Sequence, residues 1–98
     1  MNVEIRKDGT ALTLIPEGRL DTKASPDLKA IVEENIPGVT DLTFDLKKLM
    51  YLSSAGLRVI MSDQKVMMEQ GKMRLINVSN DIMDIMDMVG LTGVFTIE

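Results

Sequence analysis

The 98 residues, nearly half of them apolar and about a quarter charged, are enough for one domain with one modest core. There is no histidine and no cysteine. That leaves no imidazole base for a Ser-His-Asp hydrolase, no thiol or disulfide chemistry, and none of the usual nitrogen and sulfur ligands of zinc.

The net charge of −4 and the presence of only three aromatics, Phe44, Tyr51 and Phe95, argue against a nucleic-acid partner. Such a module wants a basic face and stacking platforms. No apolar run reaches the roughly eighteen residues needed to span a bilayer. The N-terminus lacks the basic-then-apolar layout of a signal peptide, so a cytoplasmic protein without direct membrane insertion is expected.

In chain order, "VEIRK" puts Val3 and Ile5 on one face of a strand. Asp8-Gly9 then turns the chain into a second strand, "ALTLIPEG", a good hairpin signal. Pro16 limits how far that strand can pair as an interior one. "ASPDLKAIVEENIPG" predicts the first helix. Ser25 is its expected N-cap, Pro26 its first position, Asp27 a partner for the dipole, and Leu28, Ile31 and Val32 its buried stripe. Pro37-Gly38 stops it. "DLTFDLKKL" predicts a third strand, with Leu42, Phe44 and Leu46 on one face and Thr43 and Asp45 on the other.

The second helix starts in "YLSSAGLRVI" and runs to about Gln70. Leu57, Ile60, Met61, Met67 and Met68 share an arc of its wheel, Val59 and Val66 lie nearly opposite, and Gly71 ends it. "KMRLINV" is a short strand. "SNDIMDIMDMVG" is a third helix, capped by Ser79 or Asn80, with Ile82, Ile85, Met86 and Val89 inward and Asp84 and Asp87 outward. "VFTI" is a last strand. The predicted fold is a single α/β domain of order ββαβαβαβ, with helices packed on a mixed, mostly parallel β-sheet. Of the nine methionines, Met67, Met68 and Met86 read as core. Met83 and Met88 fall at the edges of the third helix's stripe.

Four features carry possible chemistry. Ser53 and Ser54 both suit a helix cap. A hydroxyl there also lies beside unsatisfied backbone N–H groups that welcome a phosphate. Gly56 in the first turn is about 1 kcal/mol worse than alanine in a helix, which implies a packing or access reason. With no base nearby, the hydroxyl suits a phosphoacceptor better than a nucleophile. Asp21, on the loop after the second strand, is either a turn residue or part of a site at a strand end. Asp45 reads as a partly exposed strand carboxylate. Asp21 and Asp45 together are a conceivable magnesium pair, though no motif joins them. No catalytic residue is expected, and no phosphate loop of the G-x-x-x-x-G-K-[ST] type is present.

"EGRLDTKASPDL", "DLTFDLKKLMYLSSAGLRVIM" and "INVSNDIMDIMDMVGLTGVFTI" together resemble the STAS family of anti-sigma factor antagonists over nearly the whole chain. The resemblance implies a bacterial regulator that binds an anti-sigma factor serine kinase and so releases a sigma factor. Phosphorylation by that kinase breaks the pairing, and a PP2C-type phosphatase restores it. ATP is expected on the kinase, and no cofactor on this chain.

The family pattern commonly reads Asp-Ser-Ser/Thr-Gly-Leu, with the first hydroxyl residue as acceptor. Anchored on Gly56-Leu57, the resemblance makes Ser54 the phosphoacceptor and puts Ser53 where the family has aspartate, as a rival acceptor. Asp21 matches the family's acidic loop residue, so Asp21, Ser53, Ser54, Gly56 and Leu57 are the implied partner-binding positions. Asp45 matches a frequent acidic position. Family members usually continue into a last helix after "VFTI". This sequence stops at Glu98, so that helix is expected to be absent or replaced. STAS-like domains also serve in lipid-transport, transporter-associated and other signalling complexes, the alternative role the missing aspartate suggests.

Overall fold

The computed structural model describes the backbone of residues 1–98 and every side chain except that of Thr92. In chain order it contains β1 (Asn2–Asp8), β2 (Ala11–Leu20), α1 (Ser25–Asn35), β3 (Asp41–Asp45), β4 (Leu49–Leu52), α2 (Ser54–Gln70), β5 (Lys72–Ile76), α3 (Asn80–Met88) and a short 3₁₀ turn at Thr92–Val94. The expected class and alternation hold, with two refinements. The third strand, read as running through Leu49, ends at Asp45, and Leu49–Leu52, just before the second helix, form a further strand, β4, that was not expected. The last strand is a single parallel bridge from Ile97 to Leu75.

β1 and β2 form the antiparallel hairpin, from Asn2↔Glu17 to Asp8↔Ala11. Gly9 takes φ +61 in its two-residue loop. One positive φ, at the first loop position, is the pattern of a type II′ turn, whose twist suits a hairpin. β2 is the centre of the sheet, and it forks. Residues Ala11–Leu14 pair with β3 and residues Gly18–Leu20 with β4, both in parallel, with a bulge between Gly18 and Arg19. Pro16 falls between the two parallel ladders, where its missing N–H breaks neither. Gly18, at φ +90, supplies the conformation the bulge needs. The bulge swings the end of β2 toward β4 and the start of α2. β3 and β5 complete the sheet in parallel register, Asp41↔Lys72 to Asp45↔Ile76.

The core runs through the middle of this sheet: Leu12, Leu14, Leu20, Leu42, Phe44 and Leu75 from the strands, Leu28 and Val32 from α1, Ile60 and Met67 from α2, and Ile82 and Met86 from α3. Each such side chain contributes about 1.5–3 kcal/mol when fully buried. The close approach of Thr40 fixes the end of α2. A Cβ on Gly71 would lie 2.0 Å from the Thr40 carbonyl oxygen, so no larger residue fits without moving that backbone. Among the described residues no helix is long and apolar enough to cross a membrane.

Four local readings change. Ser25 is not the cap of α1. The cap position is Ala24, with no side-chain cap bond, and Ser25 turns its hydroxyl back to the Asp21 carbonyl at 2.7 Å. Met68 is 75% exposed and Val89 48%, because each stripe reaches beyond the surface its helix actually buries. Asp45, read as partly exposed, is buried, as is its neighbour Thr43. The Arg74 side chain lies over that face of the sheet and donates from Nε to Thr43 Oγ1 at 3.0 Å.

Candidate functional site

The forked end of β2, the end of β4 and the first turn of α2 meet at Ser53. Ser53 has the extended backbone of an N-cap, φ −85 and ψ 166, and its Oγ accepts from the Gly56 N–H at 3.1 Å. The same hydroxyl donates to the Leu20 carbonyl at 2.9 Å. The Ser53 N–H donates to that carbonyl as well, also at 2.9 Å. Ser53 is only 8% exposed. Its hydroxyl therefore has both its donor and an acceptor site in use, and it ties β2 to α2. Ser54, the first residue of α2, is exposed, and among the described residues none hydrogen-bonds its hydroxyl.

Gly56 has a packing reason. A Cβ there would lie 2.5 Å from Leu20 Cγ and 2.9 Å from the Leu20 carbonyl oxygen. The glycine lets α2 start directly on top of the end of β2, the approach that allows Ser53 to reach Leu20. Leu57 is 3% exposed and belongs to the core. Neither Gly56 nor Leu57 offers a side chain to a partner; they hold the turn that presents Ser54.

Asp21 immediately follows Leu20. Its Oδ1 accepts from the Ala24 N–H at 2.8 Å, and its carbonyl accepts from the Ser25 hydroxyl and N–H. It therefore shapes the loop before α1, next to the Ser53 anchor. Asp45, the last residue of β3, accepts through Oδ1 from the Lys47 N–H at 3.1 Å and from Asn77 Nδ2 at 3.0 Å. Burial pushes its carboxyl upward. The Asn77 and Lys47 hydrogen bonds and the Lys47 ammonium outweigh that and leave it below the ordinary aspartate value. Asn77 takes φ +55 to make its contact, a conformation asparagine tolerates better than most residues. Asp21 is thus engaged within its own loop and Asp45 joins its loop to Asn77 after β5, and among the described residues no three acidic side chains converge as a metal cage would require. Asp21, Asp45, Ser53 and Asn77 all stand at or just beyond the carboxyl ends of parallel strands, where sites gather in α/β sheets.

The model of the STAS domain matches residues 2–98. The chain belongs to the STAS-domain family. This STAS domain is 26% identical over 99 residues to the anti-sigma-B factor antagonist of Bacillus subtilis, covering 100% of its own length and 91% of that protein. Its fold is similar to that of an anti-sigma factor antagonist from Mycobacterium paratuberculosis, with a TM-score of 0.87 at 14% identity over 98% of this chain and 83% of that one. It is also similar to the Bacillus cell fate determinant SpoIIAA in its phosphorylated form, at a TM-score of 0.76 and 17% identity over 99% and 91% of the two chains.

Two features of this STAS domain escape a reading of the sequence. Arg19 lies 4.4 Å from the centre of the Tyr51 ring. The contact follows from the Arg19↔Tyr51 register beyond the bulge, which no local pattern announces. The second is Asp63, 7% exposed in the middle of α2. The signal for it was available: on the helical wheel Asp63 falls beside Met67, at the edge of the apolar stripe, an unusual place for a carboxylate.

Proposed function

We propose that this STAS domain is a non-catalytic anti-sigma factor antagonist whose binding is switched by phosphorylation of Ser54. The observation that carries this reading is the division of labour between the two serines. Ser53 is buried and bonded on both sides, while Ser54 stands exposed on the first turn of a 17-residue helix. A protein kinase needs a hydroxyl free to attack the γ-phosphorus of ATP, with ADP leaving and the hydroxyl proton passing to a base on the kinase. Ser54 meets that condition and Ser53 does not. The kinship with the Bacillus subtilis antagonist points to an anti-sigma factor serine kinase as the partner. A PP2C-type phosphatase is the enzyme that resets the switch, and both act in the cytoplasm, where ATP is available.

The physical logic is local. The added phosphate carries about −1.5 to −2 charges at pH 7. At the start of a helix it meets free N–H groups and the positive dipole end, so the fold tolerates it. Arg58, exposed one turn further along the same face, is placed to receive one of its oxygens. Partner affinity changes because charge and bulk appear on the docking surface, and each 1.4 kcal/mol lost there is tenfold in affinity. Asp21 and the Ser53 anchor hold the surrounding loop in place for the partner.

The test is phosphorylation by the cognate anti-sigma factor kinase with ATP, followed by mapping of the site. Phosphate is expected on Ser54, lost in Ser54→Ala and kept in Ser53→Ala, and Ser54→Asp is expected to weaken kinase binding at least tenfold. Phosphate on Ser53, or none at all with Ser54→Asp binding like wild type, overturns the reading. In the latter case the domain belongs to an assembly without a kinase, such as a lipid-transport or transporter-associated complex.

A further inference from the structure

Helices α1 and α2 line a half-open cavity of about 280 Å³, near the lower end of the range that holds small organic ligands. Val32 and Ile36 from α1 and Val59 and Val66 from α2 give it apolar walls, and Asp63 lines it. Asp63 is more than nine-tenths buried, and its Oδ2 is shut off from water with no hydrogen-bond partner among the described residues. A buried, unpartnered carboxylate is destabilising unless something satisfies it. Nothing in the partner-binding reading of Ser54 uses it.

The surrounding charges indicate what could satisfy it. The charged groups lining the cavity are Lys29 and Glu33 from α1 and Arg58 and Asp63 from α2. Lys29 and Glu33 form an ion pair at 3.9 Å, with both side chains 67% exposed, so they form the rim. Arg58 is exposed as well. Burial pushes the Asp63 carboxyl up to about 7, and the one charged neighbour felt there is Glu33, which pushes the same way. The floor of the cavity is therefore a site that a hydrogen-bond donor with positive charge would relieve, while its walls suit hydrocarbon.

We propose that this cavity binds small primary ammonium ions with compact apolar bodies, the Asp63 carboxylate turning its shut-off oxygen toward the ammonium and the hydrocarbon lying against Val32, Ile36, Val59 and Val66. The rim carboxylate of Glu33 adds attraction, and the exposed Lys29 and Arg58 restrict the charge to the head that reaches the floor. Such a ligand binds the ionised form of Asp63, so its affinity rises with pH through the range in which Asp63 titrates.

The experiment is a titration of the full chain, followed by amide chemical shifts, with cyclohexylammonium, cyclohexanol and cyclohexanecarboxylate in turn. Cyclohexylammonium is expected to shift Val59, Ser62 and Val66 saturably, with a dissociation constant of about 1–10 mM for a ligand of this size. Cyclohexanol is expected to be weaker and the carboxylate weakest. Affinity for the ammonium is expected to drop about tenfold from pH 8 to pH 6, following the ionised fraction of Asp63, and by at least tenfold in Asp63→Asn at pH 8. Alcohol or carboxylate binding as tightly as the ammonium overturns the proposal, as does an undiminished Asp63→Asn, or no saturable shift by about 50 mM. Should Asp63→Asn fail to fold, the pH comparison on the wild-type chain decides alone, and equal affinity at pH 6 and pH 8 overturns the proposal.

Discussion

Helix α2 meets the rest of the molecule in two places that treat polar groups in opposite ways. At its N-terminus the buried polar groups are matched: the Ser53 hydroxyl donates to Leu20 and accepts from Gly56. On its flank facing α1, the Asp63 carboxylate has an oxygen cut off from water and without a hydrogen-bond partner among the described residues. The first place is an anchor that fixes a position and leaves its neighbour Ser54 exposed. The second holds unspent interaction energy and the space to use it. Asp45 belongs with the anchor. Although it is buried like Asp63, its Asn77 and Lys47 contacts hold its carboxyl low.

The sharpest way to test this contrast is pH, and it carries the largest expected effect. The Asp63 carboxyl is pushed up to about 7 by burial, then by Glu33, against about 3.9 in an unfolded chain. Between those values the folded state keeps a proton that the unfolded state has lost. Asp63 should therefore erode stability as pH rises from about 4 to about 7, with no further loss above. At 1.36 kcal/mol per pKa unit the erosion is on the order of 4 kcal/mol at most, and less wherever solvent enters the cavity. Asp63→Asn should remove this slope and be more stable than wild type above pH 7 by about 1–3 kcal/mol. Asp45 has the opposite sign. Its lowered carboxyl stabilises the fold above its unfolded value and loses that contribution only in acid, as pH falls through its folded value. Urea unfolding from pH 3 to pH 8 measures both, and a profile unchanged by Asp63→Asn would mean that water or a partner already satisfies the carboxylate.

The anchor can be broken from the other side. In Gly56→Ala the new methyl would sit 2.5 Å from Leu20 Cγ and 2.9 Å from the Leu20 carbonyl oxygen. Alanine gains about 1 kcal/mol in helix propensity, whereas overpacking a filled site costs about 1–3 kcal/mol. Leu20 is 0% exposed and has little freedom to retreat, so the clash should win by up to about 2 kcal/mol, read as a lower urea midpoint. A midpoint that rises would show Leu20 able to turn aside, and the two ends of the contrast would then differ less in rigidity than the contacts imply.

The same division explains what the sequence disclosed. Strand alternation, the Asp-Gly hairpin and several helix ends were legible because they depend on neighbours in the chain: the Pro37-Gly38 stop after α1, and the Ser79 start of α3, whose Oγ accepts from Ile82 N–H at 3.2 Å. The cap of α2 was legible in kind, but which serine serves it was not fixed by local pattern, because the choice depends on Leu20, 33 residues away. β4 escaped for the same reason. It is a short apolar stretch running straight into the α2 cap, and only the forked β2, with Pro16 and the Gly18–Arg19 bulge, gives it a ladder of its own apart from β3. Met68 and Val89 were placed inward by periodicity alone. How wide a stripe a helix buries is decided by its neighbours, and these two residues lie beyond the edge. Asp63 went unread although it sits at the edge of an apolar arc, and its meaning depends on α1 lying across from it with Glu33.

The smallest expected effect separates the two serines most cleanly. Ser53→Ala removes the acceptor for the Gly56 N–H and one of two bonds to the Leu20 carbonyl, while the Ser53 N–H still holds that carbonyl. A lost N-cap costs about 0.5–2 kcal/mol, typically about 1. Ser54→Ala removes an exposed hydroxyl that has no partner among the described residues and replaces it with a better helix former, so its effect should stay within about 0.5 kcal/mol of zero. Paired urea curves for the two variants read the difference directly. A residue chosen for folding shows itself in that measurement, while one kept for a partner does not. A large loss from Ser54→Ala would move Ser54 into the anchor and leave the first turn of α2 without a hydroxyl free to receive a phosphate.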